Sequence, residues 1–340
     1  MNKIVLAVLL VAGAAAGAAG VLIATGQLPL PGSPGAAPGG TPSANTAPTA
    51  GSGVPATTID DDAAYVAFDQ GQYLTALSLA EARAGRGDPQ AHTLVARIYE
   101  GGLGVGKDEI TAARWYARAA ELGDVPAMLA FGNMLAEGRG IEKDRKAAGE
   151  MYEKAAITGD PLANYNLGLL FLKGDGKPEN PHRAAKHIQF AAEKGIAQAQ
   201  YDLAALYQQG VGLPNDALEA ARWMSRAADQ GLVAAEYEYA VMLLRGFGLK
   251  QDESKAVPLL TKAAEKGVAG AMNRLAHLHL EGVGGVAKST AEAAKWRLLA
   301  KSQGISDDKL DLLLEALPDK EREAAQKAAQ EWQDKRLTLR

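Results

Sequence analysis

Few residues in this chain have the type and spacing to do chemistry, and the strings that imitate catalytic signatures are incomplete. Gly101 to Lys107 has the spacing of a phosphate-binding loop, in which backbone N–H groups cradle phosphates and a lysine reaches the terminal one. Asp108 stands where a Ser or Thr would hold Mg²⁺, no strand pattern precedes the string, and the same glycines recur in other loops. It reads as a turn. Ser306-Asp307-Asp308-Lys309 has the Ser-x-x-Lys spacing of penicillin-interacting serine enzymes, but no Ser-Asp-Asn or Lys-Thr-Gly partner accompanies it. Ser306 opening a helix, with acids in the first turn, is the better reading. His277 and His279 stand two apart in a helical pattern and so face different sides, and His-Glu-x-x-His is absent. His187 and His279 fall on core slots. The chain has no cysteine, which removes thiol catalysis, Cys-ligated zinc, disulfides and a lipid-anchored N-terminus. The sequence therefore offers no catalytic residue, metal set or cofactor site, and the chain reads as a non-enzyme.

What these residues sit on is a repeat. Gly87, Gly123, Gly159, Gly195, Gly231, Gly267 and Gly304 are spaced by 36 residues five times and by 37 once. A fixed period of this size means stacked helix pairs rather than one closed core. Six units follow, at 89–124, 125–160, 161–196, 197–232, 233–268 and 269–305. Each opens on a helix A with an alanine at fixed register (Ala91 to Ala271), then a hydrophobe and a small residue, as in Phe131-Gly132 and Leu167-Gly168. Apolar positions at i, i+4 and i+8 make one buried stripe, and the small residue lets a neighbouring helix approach. Paired glycines mark the loop (Gly138/Gly140, Gly246/Gly248), then an N-cap at constant register: Asp108, Asp144, Asn180, Asp216, Asp252 and, after one inserted residue near Gly284-Gly285, Ser289. Each such cap stabilises by about 1 kcal/mol relative to alanine. Helix B carries Trp115, Met151, His187, Trp223, Leu259 and Trp296 in one slot and ends at the periodic glycine, where a left-handed residue suits only Gly well. Pro258, some six residues into a helix B, is expected to remove a backbone bond and kink it.

The run Ala163-Asn164-Tyr165-Asn166-Leu167-Gly168-Leu169-Leu170-Phe171, with Gly174-Asp175-Gly176 after it, resembles the Sel-one-like repeat, a cousin of the tetratricopeptide repeat. So does Asp216 through Ala220-Ala221-Arg222-Trp223 to Ala227-Ala228 and Gly231. The resemblance implies an all-α, right-handed α-solenoid of helix-turn-helix repeats. Residues 61–88 look like one further unit with a tetratricopeptide-type turn, and 306–340 like a C-terminal helical cap.

Repeats of this family line a concave surface with helix A, which implies a groove for a protein partner. The positions two before and two after the buried hydrophobe should face it. The central units there present Leu129, Asn133, Tyr165, Leu169, Tyr201, Ala205, Tyr237 and Val241, extended by Leu172 and Leu244. An aromatic, apolar strip with a polar rim suits an extended or helical peptide. The competing reading is that the tyrosines only pack between adjacent A helices.

Charged residues make up 22% of the chain and the net charge is −4, with no basic stripe, which argues against nucleic acid. Residues 4–25 form an uncharged, mostly apolar run after Lys3. At about 1.5 Å per residue it reaches roughly 33 Å, enough to cross a bilayer. An uncleaved anchor is favoured over a cleaved signal peptide, because Val21-Leu22-Ile23 prolongs the run past the small-residue sites at Ala14-Ala15-Ala16 and Ala16-Gly17-Ala18. Residues 26–60 are rich in Pro, Gly, Ala, Ser and Thr and read as a disordered tether. The whole is expected to be a protein-interaction adaptor on the periplasmic side of a bacterial inner membrane, or soluble in that space after cleavage. Recognition or processing of cell-envelope glycans is the alternative.

Overall fold

The computed structural model describes residues 62–338, so the expected membrane segment and tether lie outside the described residues. All elements among them are helices. α1 (Ala63–Asp69) and α2 (Tyr73–Ala84) form a leading pair. Six pairs follow: α3 (Pro89–Gly101) with α4 (Glu109–Glu121), α5 (Val125–Glu137) with α6 (Arg145–Ile157), α7 (Pro161–Lys173) with α8 (Pro181–Glu193), α9 (Ala197–Gln209) with α10 (Ala217–Asp229), α11 (Val233–Arg245) with α12 (Glu253–Glu265), and α13 (Ala269–Glu281) with α14 (Thr290–Ser302). α15 (Asp308–Ala316) and α16 (Asp319–Thr338) end the chain. The described residues divide into two compact units, 62–163 and 164–338. Within each, helices packed on each other are almost all neighbours in sequence, the mark of a repeat array; α16 instead packs on α14.

Local chemistry fixes both ends of each helix B in the six repeats. The side chains of Asp108, Asp144, Asn180, Asp216, Asp252 and Ser289 each accept first-turn N–H groups of a helix B. At the other end Gly123, at φ +95°, donates to the Ala120 carbonyl (3.1 Å) while Asp124 N–H donates to that of Ala119 (3.0 Å). Two carbonyls that the helix leaves unpaired are thereby satisfied. Each loop closes on one further bond, from the backbone N–H of the helix-B cap to a helix-A carbonyl nine residues earlier. It runs from Asp144 to Leu135 (2.9 Å) and from Asp252 to Leu243 (3.0 Å). In the last repeat the inserted residue makes the reach ten, from Ser289 to His279, and the bond persists at 2.8 Å. The longer final period is thus absorbed in the loop without disturbing the helix pair.

The second loop glycine holds one repeat against the previous one. A Cβ at Gly140 would lie 2.0 Å from the Glu109 carbonyl oxygen, and one at Gly248 only 1.8 Å from that of Ala217. Both carbonyls belong to the first residue of the preceding helix B. The core between paired helices is small-to-large: Gly132 admits the Tyr152 ring and Gly168 admits Ile188, each too close for a Cβ. α12 continues through Pro258 to Glu265 as one helix. The helix-B slot is divided: Trp223 and Trp296 are buried, whereas Trp115, Met151, His187 and Leu259 are half-buried, as is His279 at the end of helix A.

Candidate functional site

Helix A places the residues expected to meet a partner at two depths. In the unit spanning 62–163, Leu129 and Asn133 are interior, and Tyr152 donates a 2.7 Å hydrogen bond to Asn133 Oδ1. In the unit spanning 164–338, Tyr165, Tyr201 and Val241 are interior, whereas Leu169, Leu172, Ala205, Tyr237 and Leu244 are half-buried. The tyrosines reach toward the next repeat. Tyr165 donates to Asp202 Oδ2 at 2.7 Å, and the Tyr237 hydroxyl sits over Gly270, where a Cβ would meet it at 2.7 Å. Tyr165 and Tyr237 therefore pack against the next helix A, and the leucines and Tyr237 keep some accessible apolar surface.

The periodic pattern did not expose the charges beside them. At the register one residue after the ladder tyrosines, the last four repeats carry Asn166, Asp202, Glu238 and Arg274, where the first two have Leu94 and Ala130. Asp202 is interior and accepts from Tyr165 and from Gln198 Nε2 (3.2 Å). Burial pushes its carboxyl up to about 6, and the two hydrogen bonds and the more distant Lys173 only partly offset this. Glu238 is raised for the same reason, against the pull of Arg245 and Arg274. Burial, then the charges of Glu238 and Asp202, raise the Tyr201 hydroxyl. The sequence signal that could have found this column is its change from apolar to polar in mid-array.

The strings that imitate enzymes resolve into structure. Lys107 pairs with Glu109 at 2.8 Å, so the glycines before it shape a loop. The expected helix start at Ser306 is displaced by one residue. Asp307 caps α15 by accepting from Leu310 N–H (3.1 Å), because its carboxylate is the stronger acceptor. The same carboxylate takes Asn273 Nδ2 (2.8 Å) and lies 2.7 Å from His277 Nε2. Burial raises Asp307, but these bonds outweigh it and bring the group to about 2. Lys309 pairs with Glu281, not with Ser306. Among the described residues no group of three or more His, Asp or Glu could hold a metal ion, and no helix is long and apolar enough to cross a membrane.

Helix pairs of constant length, closed by capped glycine loops, define an all-α repeat scaffold. The Sel1 repeat model matches residues 89–124, 125–160, 161–196, 197–232, 233–268 and 269–305, more than half of the chain, and the chain belongs to the Sel1-repeat family. Among solved structures, it resembles c5321, a protective antigen of uropathogenic Escherichia coli strains with an SLR fold, at 27% identity and a TM-score of 0.69. The match covers 81% of this chain and 60% of that one, so the chain spans less than two thirds of the antigen's length. A Sel1 repeat protein from Oxalobacter formigenes is also similar, at 27% identity and a TM-score of 0.63, over 71% of this chain and 98% of that one. No curated protein matches the chain. Proteins built from Sel1 repeats are generally scaffolds for protein–protein interaction, typically without catalysis of their own.

Proposed function

We propose that this protein is a non-enzymatic adaptor that docks a segment of a partner protein along the helix-A face of residues 164–338. It is held on the periplasmic side of a bacterial inner membrane by residues 4–25. The observation that carries the docking reading is the row of half-buried apolar side chains, Leu169, Leu172, Ala205, Tyr237 and Leu244, at one helix-A face of three successive repeats. A repeated face of this kind gives an extended peptide a regular series of apolar contacts over a hydrogen-bonded floor. The anchor reading is supported by the length of the apolar run and by Lys3 before it.

A photo-crosslinking amino acid at Leu169, Tyr237 or Leu244 tests the docking in intact cells. Discrete adducts with one partner are expected at all three, and none at Ile157, which is 82% exposed and lies outside this face. Absence of adducts at the three sites would overturn the reading. Membrane fractionation with N-terminal sequencing tests the anchor. The expected product sediments with membranes and keeps residues 4–25, whereas a soluble protein beginning after Ala16 or Ala18 refutes it.

A further inference from the structure

Exposed apolar side chains are unevenly placed. Among the described residues seven large ones stand in solvent, and five of them, Val66, Leu74, Ile110, Ile141 and Ile157, belong to residues 62–163; the others are Leu218 and Leu312. Three of the five share one edge. Leu74 and Ile110 are the second residues of α2 and α4, and Ile141 follows Gly140 in the loop before α6. The loop glycines bring each helix start against the next loop. A Cβ at Gly104 would lie 3.0 Å from Tyr73 Cβ and 3.6 Å from Leu74 Cγ, and one at Gly140 only 2.8 Å from Ile110 N. Val105 follows Gly104 as Ile141 follows Gly140, and is half-buried. Leu74, Ile110 and Ile141 are 64%, 56% and 37% exposed, so packing within the repeats gains little from them. Leu218 has the same register in the other unit, but there His182 and Ser254 stand one repeat to either side. Lys146, the second residue of α6, continues the register, with Lys143 exposed in the loop before it; neither forms an ion pair among the described residues. Lys107, also exposed, pairs with Glu109, Asp144 caps α6, and Glu142 stands in solvent. Apolar side chains flanked by lysines suit a lipid–water boundary, where the first enter and the second stay with the headgroups.

The rest of the chain names the occupant. The apolar run of residues 4–25 is joined to Asp62 by residues 26–61, and a coil of that length spans roughly 30–36 Å. A tether this short holds residues 62–163 at high effective concentration beside a bilayer, where even a small apolar edge partitions. We propose that the edge formed by Leu74, Ile110 and Ile141 rests in the lipid surface of the membrane that residues 4–25 span, with Lys107, Lys143 and Lys146 at headgroup level. The inference rests on the anchor reading above and adds an orientation to it: the loop edge of the first repeats faces the bilayer.

Because the chain has no cysteine, single labels test this cleanly. The full chain is reconstituted in vesicles of phosphatidylethanolamine and phosphatidylglycerol, with an environment-sensitive fluorophore on Leu74→Cys, Ile110→Cys or Ile141→Cys. Ile157→Cys, at the far end of α6, is the control, and circular dichroism checks each fold. Emission at the three edge positions is expected to shift to the blue and to fall about twofold or more when the lipid acyl chains are brominated, while the control stays unchanged. Flotation on a density gradient reports the anchor separately. Labels unaffected by bromination in protein that floats, or quenched equally at Ile157→Cys, would overturn the lipid edge and leave the anchor reading standing. A blue shift that bromination does not quench, and that grows with protein density on the vesicle, would also overturn it and assign the edge to a second copy of the chain. Protein that does not float would overturn both.

Discussion

Asp202 has a simple thermodynamic consequence. Its carboxyl lies near 6 in the folded protein against 3.8 in an exposed chain, chiefly through burial. Between pH about 4 and 6 the folded protein holds a proton that the unfolded chain has released, so stability falls as pH rises through that window. The ceiling on this single-site effect is roughly 3 kcal/mol. Glu238, also raised, adds a slope of the same sign. Asp307 acts in the opposite direction at lower pH: its depressed value stabilises the fold above about 4 and the contribution is lost as pH falls toward 2. Urea unfolding of the full chain at pH 4.5 and pH 7.5 should show the folded state of Asp202→Asn gaining stability relative to wild type at the higher pH. Equal differences at the two pH values would mean that the carboxylate is not what is being titrated. None of this could be read from the periodicity, because Asp202 is a polar residue on an otherwise ordinary helix and its closer partner, Tyr165, comes from the helix A one repeat earlier.

Helix ends, in contrast, were legible. Asp108, Asp216 and Gly231 act on backbone groups within a few residues of themselves, so residue type and register suffice. The caps of helix A were harder. Asp88, Asp124 and Asp160 accept first-turn N–H groups in the first three repeats, while Ile196, Leu232 and Val268 hold the same place in the last three without a side-chain bond. Val268 instead joins the hydrophobic core, so one register serves capping in one half and packing in the other. Depth on helix A was the least legible: Tyr201 and Tyr237 share a register, yet only the first is interior. The two glycine types separate local strain from close approach. Gly231→Ala meets nothing within 4 Å and suffers only its φ of +79°, a cost of about 1–2 kcal/mol. Gly248→Ala has a similar φ of +71° but drives its methyl into the Ala217 carbonyl, so it must also push two repeats apart. Denaturant midpoints should rank wild type, then Gly231→Ala, then Gly248→Ala; equal losses would show that the contact relaxes freely.

Over the whole molecule, a repeat array leaves an apolar face at its end that something must cover. α15 and α16 do this for the last repeat. Leu310 and Ala325 are almost wholly buried, Leu314 and Leu317 nearly so, and Trp332 meets Trp296 edge-on at 5.9 Å. The cover is also electrostatic: Arg297 has no exposed surface, and its guanidinium donates to Asp311 (2.8 Å), to Asn273 Oδ1 and to the Ile305 carbonyl. Ending the chain after Gly304 removes Asp311 and the Ile305 carbonyl and opens Trp296 and Ala294 to water. Because coupling in such an array runs between neighbours, the loss should be local first. Hydrogen exchange followed by mass spectrometry is expected to accelerate strongly in α13 and α14, less in α11 and α12, and not at all in residues 62–163. Dye binding to exposed apolar surface and concentration-dependent association should accompany it. A uniform acceleration across residues 62–304 would mean instead that the chain unfolds as one cooperative body, and that its terminal helices stabilise all of it rather than the repeat they touch.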